Sequence, residues 1–365
     1  MKKPSRLVLT TIIAILTLAG CSPEAKAPLI PDGPVTGASI ADENNTYNES
    51  TEPAATPGAA AEARQENPPL TIRLGSLKGA TSMGMVKLLE DAEEGRTFSK
   101  YEFSLAGSAD ELTPKLISGA LDIAAIPANL ASVLYNNTGG KIKVIAINAL
   151  GLLYIVENGD TVKSLADLKG RTIYATGRGS VPEYTLEHLL KKNGLEQGKD
   201  VTIEWKSEPT EVVALMAQGK GSVAMLPQPY VAAAQGQIKD LRIAVDLTKE
   251  WRASDGGGML VTGVLVMRRD FADEHPEQFE MFLRAYSAST KYVNSNAAEA
   301  AALIEKFGII KASIAEKALP YCNIVFIDSD DMKLAMEGYL KALYEQAPKA
   351  VGGKLPDENF YYNAK

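Results

Sequence analysis

The chain has 365 residues, 45% of them hydrophobic and 23% charged, with a formal net charge of −7. That length allows two domains of ~100–200 residues each, and the acidic balance argues against nucleic acid or an anionic membrane surface as a partner. Two cysteines and two histidines exclude a disulfide framework and give no metal-ligand spacing, so neither a metal nor a cofactor is expected.

Lys2, Lys3 and Arg6 precede an apolar run from Leu7 to Ala19, the layout of an export signal. The run is shorter than the ~20 apolar residues of a membrane span, so residues 1–20 read as a signal peptide. Leu18-Ala19-Gly20-Cys21 resembles the lipobox of bacterial lipoproteins. Cys21 is therefore the expected lipid attachment, which places the protein outside the cytoplasm and anchors it to the bacterial cell membrane. Residues 21–68 carry Pro23, Pro28, Pro31, Pro34, Pro53 and Pro57 and few large apolar side chains. Such a segment cannot offset its ordering entropy by burial and reads as a flexible tether. Cys322 is then the remaining thiol, expected as a small buried apolar residue.

An internal echo at an offset of 100 residues organises the rest of the chain: Gly119-Ala120-Leu121-Asp122-Ile123-Ala124-Ala125-Ile126-Pro127 stands against Gly219-Lys220-Gly221-Ser222-Val223-Ala224-Met225-Leu226-Pro227. Upstream, Leu112, Leu116 and Ile117 match Val212, Val213, Leu215 and Met216 at helical spacing, and each helix stops at a glycine. Residues 71–74, 101–105 and 123–126 are expected strands of the first half, and 172–175, 201–205 and 223–226 of the second. Amphipathic helices are expected near 83–90 and 183–192. The alternation predicts an α/β fold with mixed, mostly parallel sheets whose strand-end loops share one edge, where ligands bind. Four loops are singled out, at residues 76–84, 127–130, 176–183 and 227–230, with the pocket between two lobes.

Residues 141–149 and 152–156 read as strands of the first half that lead into the second, and 260–267 as the return. Phe279, Phe282, Leu283 and Tyr286 mark a helix after Pro276, and further helices are expected near 297–307 and 330–344. Lobe 1 is thus residues 69–160 plus 265–365 and lobe 2 residues 161–264. The two crossings make a hinge that allows closure around a ligand.

At this point the sequence resembles the substrate-binding proteins of nitrate, sulfonate and taurine importers and the related thiamine-pyrimidine-precursor binders. Gly119 to Ala124, Leu165-Ala166-Asp167-Leu168-Lys169-Gly170-Arg171-Thr172-Ile173, Gly179-Ser180 and His275-Pro276-Glu277-Gln278-Phe279 carry the likeness. The resemblance implies the type II periplasmic-binding-protein fold and a monomeric, non-enzymatic receptor that captures a small molecule and delivers it to the permease and ATPase subunits of an ABC importer. Alternatives are a thiamine-precursor-type biosynthetic enzyme, or a ligand sensor on the same fold.

The family's ligand loops fall on residues 78–83, 127–129, 177–183 and 227–230. They supply Lys78, Thr81, Ser82, Met83, Pro127, Asn129, Arg178, Ser180, Glu183, Gln228 and Tyr230 as candidate ligand-binding residues. Arg178 offers a bidentate fork for an anion or is simply solvated. Thr81, Ser82 and Ser180 precede helix starts, where they bind an anion or cap the helix. Glu183 pairs with a cationic ligand group or complements its own helix terminus. Asn129 and Gln228 follow the two prolines and present one amide from each lobe. Trp251 reads as packing, and residues 254–258, with three glycines, as a close approach to ligand or a surface loop.

Overall fold

A computed structural model of the chain describes residues 69–254 and 258–363. The expected signal peptide, the Cys21 attachment site, the tether and the centre of the 254–258 loop lie outside the described residues. What is described belongs to one compact unit.

The first half runs β1 (Thr71–Leu77), α1 (Ala80–Met83), α2 (Val86–Glu93), β2 (Lys100–Ala106), α3 (Ala109–Ile117), β3 (Ile123–Pro127), α4 (Ala128–Asn137) and β4 (Ile142–Leu150). The second runs β5 (Leu153–Asn158), β6 (Thr172–Thr176), α5 (Val181–Lys192), β7 (Thr202–Lys206), α6 (Pro209–Ala217), β8 (Val223–Pro227), α7 (Tyr230–Gln235), β9 (Leu241–Asp246) and α8 (Leu247–Ser254). The chain returns through β10 (Val261–Arg268), α9 (Arg269–Glu274), α10 (Pro276–Ser295), α11 (Ala297–Lys306), α12 (Ala312–Ala318), β11 (Ile324–Ile327) and α13 (Ser329–Gln346).

Two sheets result, ordered β11-β4-β10-β3-β1-β2 and β7-β6-β8-β5-β9. The echo is real in three dimensions: β1 lies between β2 and β3, and β6 between β7 and β8, all parallel. The sheets are mixed rather than mostly parallel, because β5 runs antiparallel to β8 and β9, β10 to β3 and β4, and β11 to β4. The cause is the double crossing: β4 and β9 leave their sheets running with the βαβ units, so β5 and β10, which enter the other sheet from the same edge, run against its βαβ units. β5 also corrects the sequence reading, which places residues 152–156 in the first half. It pairs with β8 and β9, so the first crossing falls at residues 151–152 rather than at 160. β10 pairs from Val261 onward in the first sheet, so the return precedes residue 264.

Each sheet is covered on both faces, as its fully buried central strands require. In the first, Leu88, Phe279, Phe282 and Tyr286 pack on Ile72, Leu74 and Ile123, while Leu112, Leu134, Met336 and Leu340 cover the other face. In the second, Leu186, Leu189 and Leu190 pack with Ile155, Ile173 and Met225; Val212, Val213, Met216 and Val231 pack with Tyr154, Val156 and Leu226. Pro127 ends β3 where its pairing with β1 has already stopped, so its missing N–H leaves no gap in that ladder. The halves also meet away from the strand tips. Trp251 on α8 is 1% exposed, with its ring 4.8 Å from His188 of α5 and 5.6 Å from Tyr339 of α13, and α12 packs on α7.

Candidate functional site

Because β1, β2 and β3 run parallel, as do β6, β7 and β8, six strand-end loops face one another across the two sheets. They enclose a cavity of about 470 Å³, within the usual range for small-molecule sites. Lys78, Thr81, Pro127, Arg178, Ser180, Gln228 and Tyr230 line it, as the sequence reading expects.

Four expected residues do not line the cavity. Ser82 is fully buried and its hydroxyl donates to the Gly79 carbonyl at 2.9 Å. Met83 sits in the core, with Sδ 3.9 Å from Cys322 Sγ. Both face inward because α1 is a single four-residue turn whose far side packs into the protein. Asn129 is fully buried and its Nδ2 donates to the carbonyls of Gly179, at 3.3 Å, and Ala350, at 3.1 Å. The Glu183 carboxylate accepts the Gly179 amide, so it serves the start of its own helix.

Among the lining residues, most hydroxyl donors are already committed. Thr81 Oγ1 donates to the Leu77 carbonyl at 3.2 Å, Ser180 Oγ to Gly177 at 2.8 Å, and Thr262 Oγ1 to Leu150 at 2.6 Å. Tyr230 Oη donates to the Lys78 carbonyl at 3.4 Å, which ties the second half to the first. Burial, and then nearby Glu208, push its phenol up to about 12, so it stays neutral. Gln228 Oε1 accepts the Ala232 amide at 3.4 Å.

Among the described residues, the charged lining groups are Lys78, Arg178, Lys206 and the single carboxylate Asp110. Lys206 is held 3.2 Å from Glu204 and lies over the Tyr174 ring. Lys78 and Arg178 are exposed, and neither makes a salt bridge to a carboxylate among the described residues. They stand 100 residues apart at the same place in the two halves, each followed by a glycine with positive φ, Gly79 at 134° and Gly179 at 76°. A side chain at those glycines would strain the turns that present the two cations.

The sequence reading missed the loops after the outermost parallel strands. Gly107, Ser108, Ala109 and Asp110 follow β2, Lys206 ends β7 and Ser207 and Pro209 follow it, and all line the cavity. They read from sequence only as helix caps. Glu111 indeed accepts the amides of Gly107 and Ser108, at 3.0 and 3.1 Å. The signal available was the rule already applied to β1 and β3, that every parallel strand delivers its following loop to the same edge. A wider groove of about 610 Å³ lies at the opposite end of the first sheet, lined by Ile117, Thr138, Arg268, Arg269 and Asp273 among others. None of its lining residues comes from the second half, and Arg268 is already paired with Asp122 and Asp270.

A sequence profile described as NMT1/THI5 like matches residues 112–300. No curated protein matches the chain. Among solved structures, an ABC transporter protein of Parabacteroides distasonis is 24% identical with a TM-score of 0.67, over 81% of this chain and 99% of that one. The periplasmic aliphatic sulphonate binding protein of Escherichia coli is 19% identical with a TM-score of 0.62, over 82% and 94%. The periplasmic nitrate-binding protein of Synechocystis PCC 6803 is 17% identical with a TM-score of 0.52, over 65% and 66%. The shared architecture is the periplasmic-binding-protein fold.

Proposed function

The chain belongs to the NMT1/THI5-like family, and from that membership and its fold we propose that it is the solute-binding component of an ABC importer. It captures a small organic anion between two lobes and presents the closed form to a permease with its ATPase. The observation that carries this reading is the cavity itself: loops from both sheets line it, and a protein of net charge −7 gives it three cations and one carboxylate. Closure removes water and completes the contacts from both sides, and the ligand shifts the population toward the closed form by its differential affinity for it.

We further propose that export and lipidation at Cys21 hold the receptor, as a monomer, on the outer face of the cytoplasmic membrane. Leu18-Ala19-Gly20-Cys21 after the apolar run supports this, and among the described residues no helix is long and apolar enough to cross a membrane. The biosynthetic-enzyme alternative has less to stand on: Cys322, His188 and His275 all lie outside the cavity lining. A thermal-shift screen of sulfonates, carboxylates, amino acids, pyrimidines and flavin-like compounds tests the receptor reading. An anionic compound is expected to raise the melting temperature, and a screen in which no small molecule does so contradicts the proposal. Globomycin-sensitive processing, with mass spectrometry of the mature N-terminus, tests Cys21.

A further inference from the structure

The charges in the cavity are sorted along its length. In the first sheet β2 is the outer edge and β4 and β10 lie on the crossing side; in the second, β7 is the outer edge and β5 and β9 lie on the crossing side. The cavity therefore has a hinge end, near the crossing at residues 151–152, and a mouth between the loops after β2 and β7. Among the described residues, the charged lining groups sit at the ends of β1, β2, β6 and β7: Lys78 and Arg178 in the loops after β1 and β6, Lys206 at the last position of β7, and Asp110 in the first turn of α3, which follows β2. The hinge end is built by Pro127, Leu130, Leu152, Leu153, Pro227 and Thr262, and the Thr262 hydroxyl is spent on main-chain carbonyls. Among the described lining residues, none at that end carries a charge to meet a second ionic group.

Lys78 and Arg178 face this gradient from opposite halves. Closing the lobes brings two cations without carboxylate partners toward each other, which opposes closure of the empty protein. One anionic group placed between them turns that repulsion into two attractions. It also draws on the donors the hydroxyls cannot supply, an ammonium and a guanidinium fork.

We propose, on the receptor reading above, that the ligand is an amphipathic organic anion bound body-first. Its apolar body lies against Leu152 and Leu153 at the hinge, and its one anionic group is clamped between Lys78 and Arg178 toward the mouth. The site therefore selects for an apolar far end and against a second charge there, since a charge buried without a partner is strongly disfavoured.

Calorimetric titration of the protein with acetate, butanoate, hexanoate and hexanedioate, and with the matching sulfonates, tests this. Affinity is expected to rise about fourfold per methylene, the fold-change that ~0.8 kcal/mol corresponds to. Hexanedioate is expected to bind at least about tenfold more weakly than hexanoate. Lys78→Gln and Arg178→Gln each weaken every member and leave the chain-length slope unchanged. Leu153→Ser flattens the slope, and Leu130→Ser, at a half-buried position, does the same should the first variant fold poorly. Affinity independent of chain length, or tighter binding of the diacids, overturns the proposal. So does the absence of binding by the whole series when another compound stabilises the protein, an outcome that leaves the receptor reading standing. If no compound of any class stabilises it, the receptor reading itself fails.

Discussion

Asn129 Nδ2 lies 3.3 Å from the carbonyl oxygen of Gly179, a hydrogen bond from the first half's α4 to the second half's loop after β6. The same amide donates to Ala350 at 3.1 Å, so one buried side chain joins three segments at the edge of the cavity. On the receptor reading, Asn129 is therefore expected to act on closure rather than on the ligand. Replacing it with Ala leaves the buried Ala350 carbonyl and the partly buried Gly179 bond without their donor, at a cost of about 1–3 kcal/mol. Asn129→Ala is expected to raise the dissociation constant of a validated ligand about tenfold. It should also increase the radius of gyration of the ligand-bound protein in small-angle scattering. A variant as compact and as tight-binding as the parent contradicts the latch.

Glu157 anchors the far end of β5. It accepts the Thr161 hydroxyl at 2.5 Å and the Val162 amide at 3.0 Å and pairs with Arg242. Burial alone raises its carboxyl, but the Thr161 hydroxyl, the Val162 and Thr161 amides and Arg242 outweigh it and hold the group at about 2. An unfolded glutamate protonates near 4.5, so between these values the folded state binds fewer protons. Its contribution is complete above about 4.5 and is lost as pH falls toward 2. Glu157→Gln is expected to cost about 3 kcal/mol in urea denaturation at neutral pH, with the two curves converging under acid. A constant gap across the range rules the assignment out.

Trp251 packs the halves together outside the cavity. It is 1% exposed, against His188 and Tyr339. Trp251→Ala should destabilise the protein by about 3–5 kcal/mol, read as a fall in denaturation midpoint with the cavity residues intact. A loss under ~1 kcal/mol would show that the seam packs loosely.

Cys322 is fully buried, and burial pushes its thiol up to about 12. Iodoacetamide at mildly alkaline pH is expected to leave the Cys322 peptide unmodified in the native protein and to label it fully in urea. Rapid native labelling would contradict the packing around α12 and Met83.

The sequence made most of the architecture legible because the echo marks the same turn chemistry twice. Gly119 and Gly219 end helices, Pro127 and Pro227 end strands, and Lys78 and Arg178 open the paired loops. What stayed hidden depended on direction rather than on element type. Thr81, Ser82 and Met83 are consecutive in one turn, and no periodicity tells which faces the ligand; the structure turns only Thr81 that way. Asn129 falls on the inward side of α4 because the helix already starts at Ala128. The sheet to which β5 belongs is ambiguous in sequence because, after Lys143 and Asn148, Gly151 alone interrupts an apolar run that extends to 156. The break is made by tertiary contact, since Thr248 of α8 leaves no room for a side chain at Gly151.

Hydrogen–deuterium exchange, with and without the compound that most raises the melting temperature, tests the two-lobed capture most directly. Slowed exchange is expected in six loops drawn from both halves, around Lys78, Ser108, Pro127, Arg178, Ser207 and Gln228. Protection confined to one half, or centred on the groove at Arg268 and Arg269, would contradict a ligand enclosed between two closing lobes.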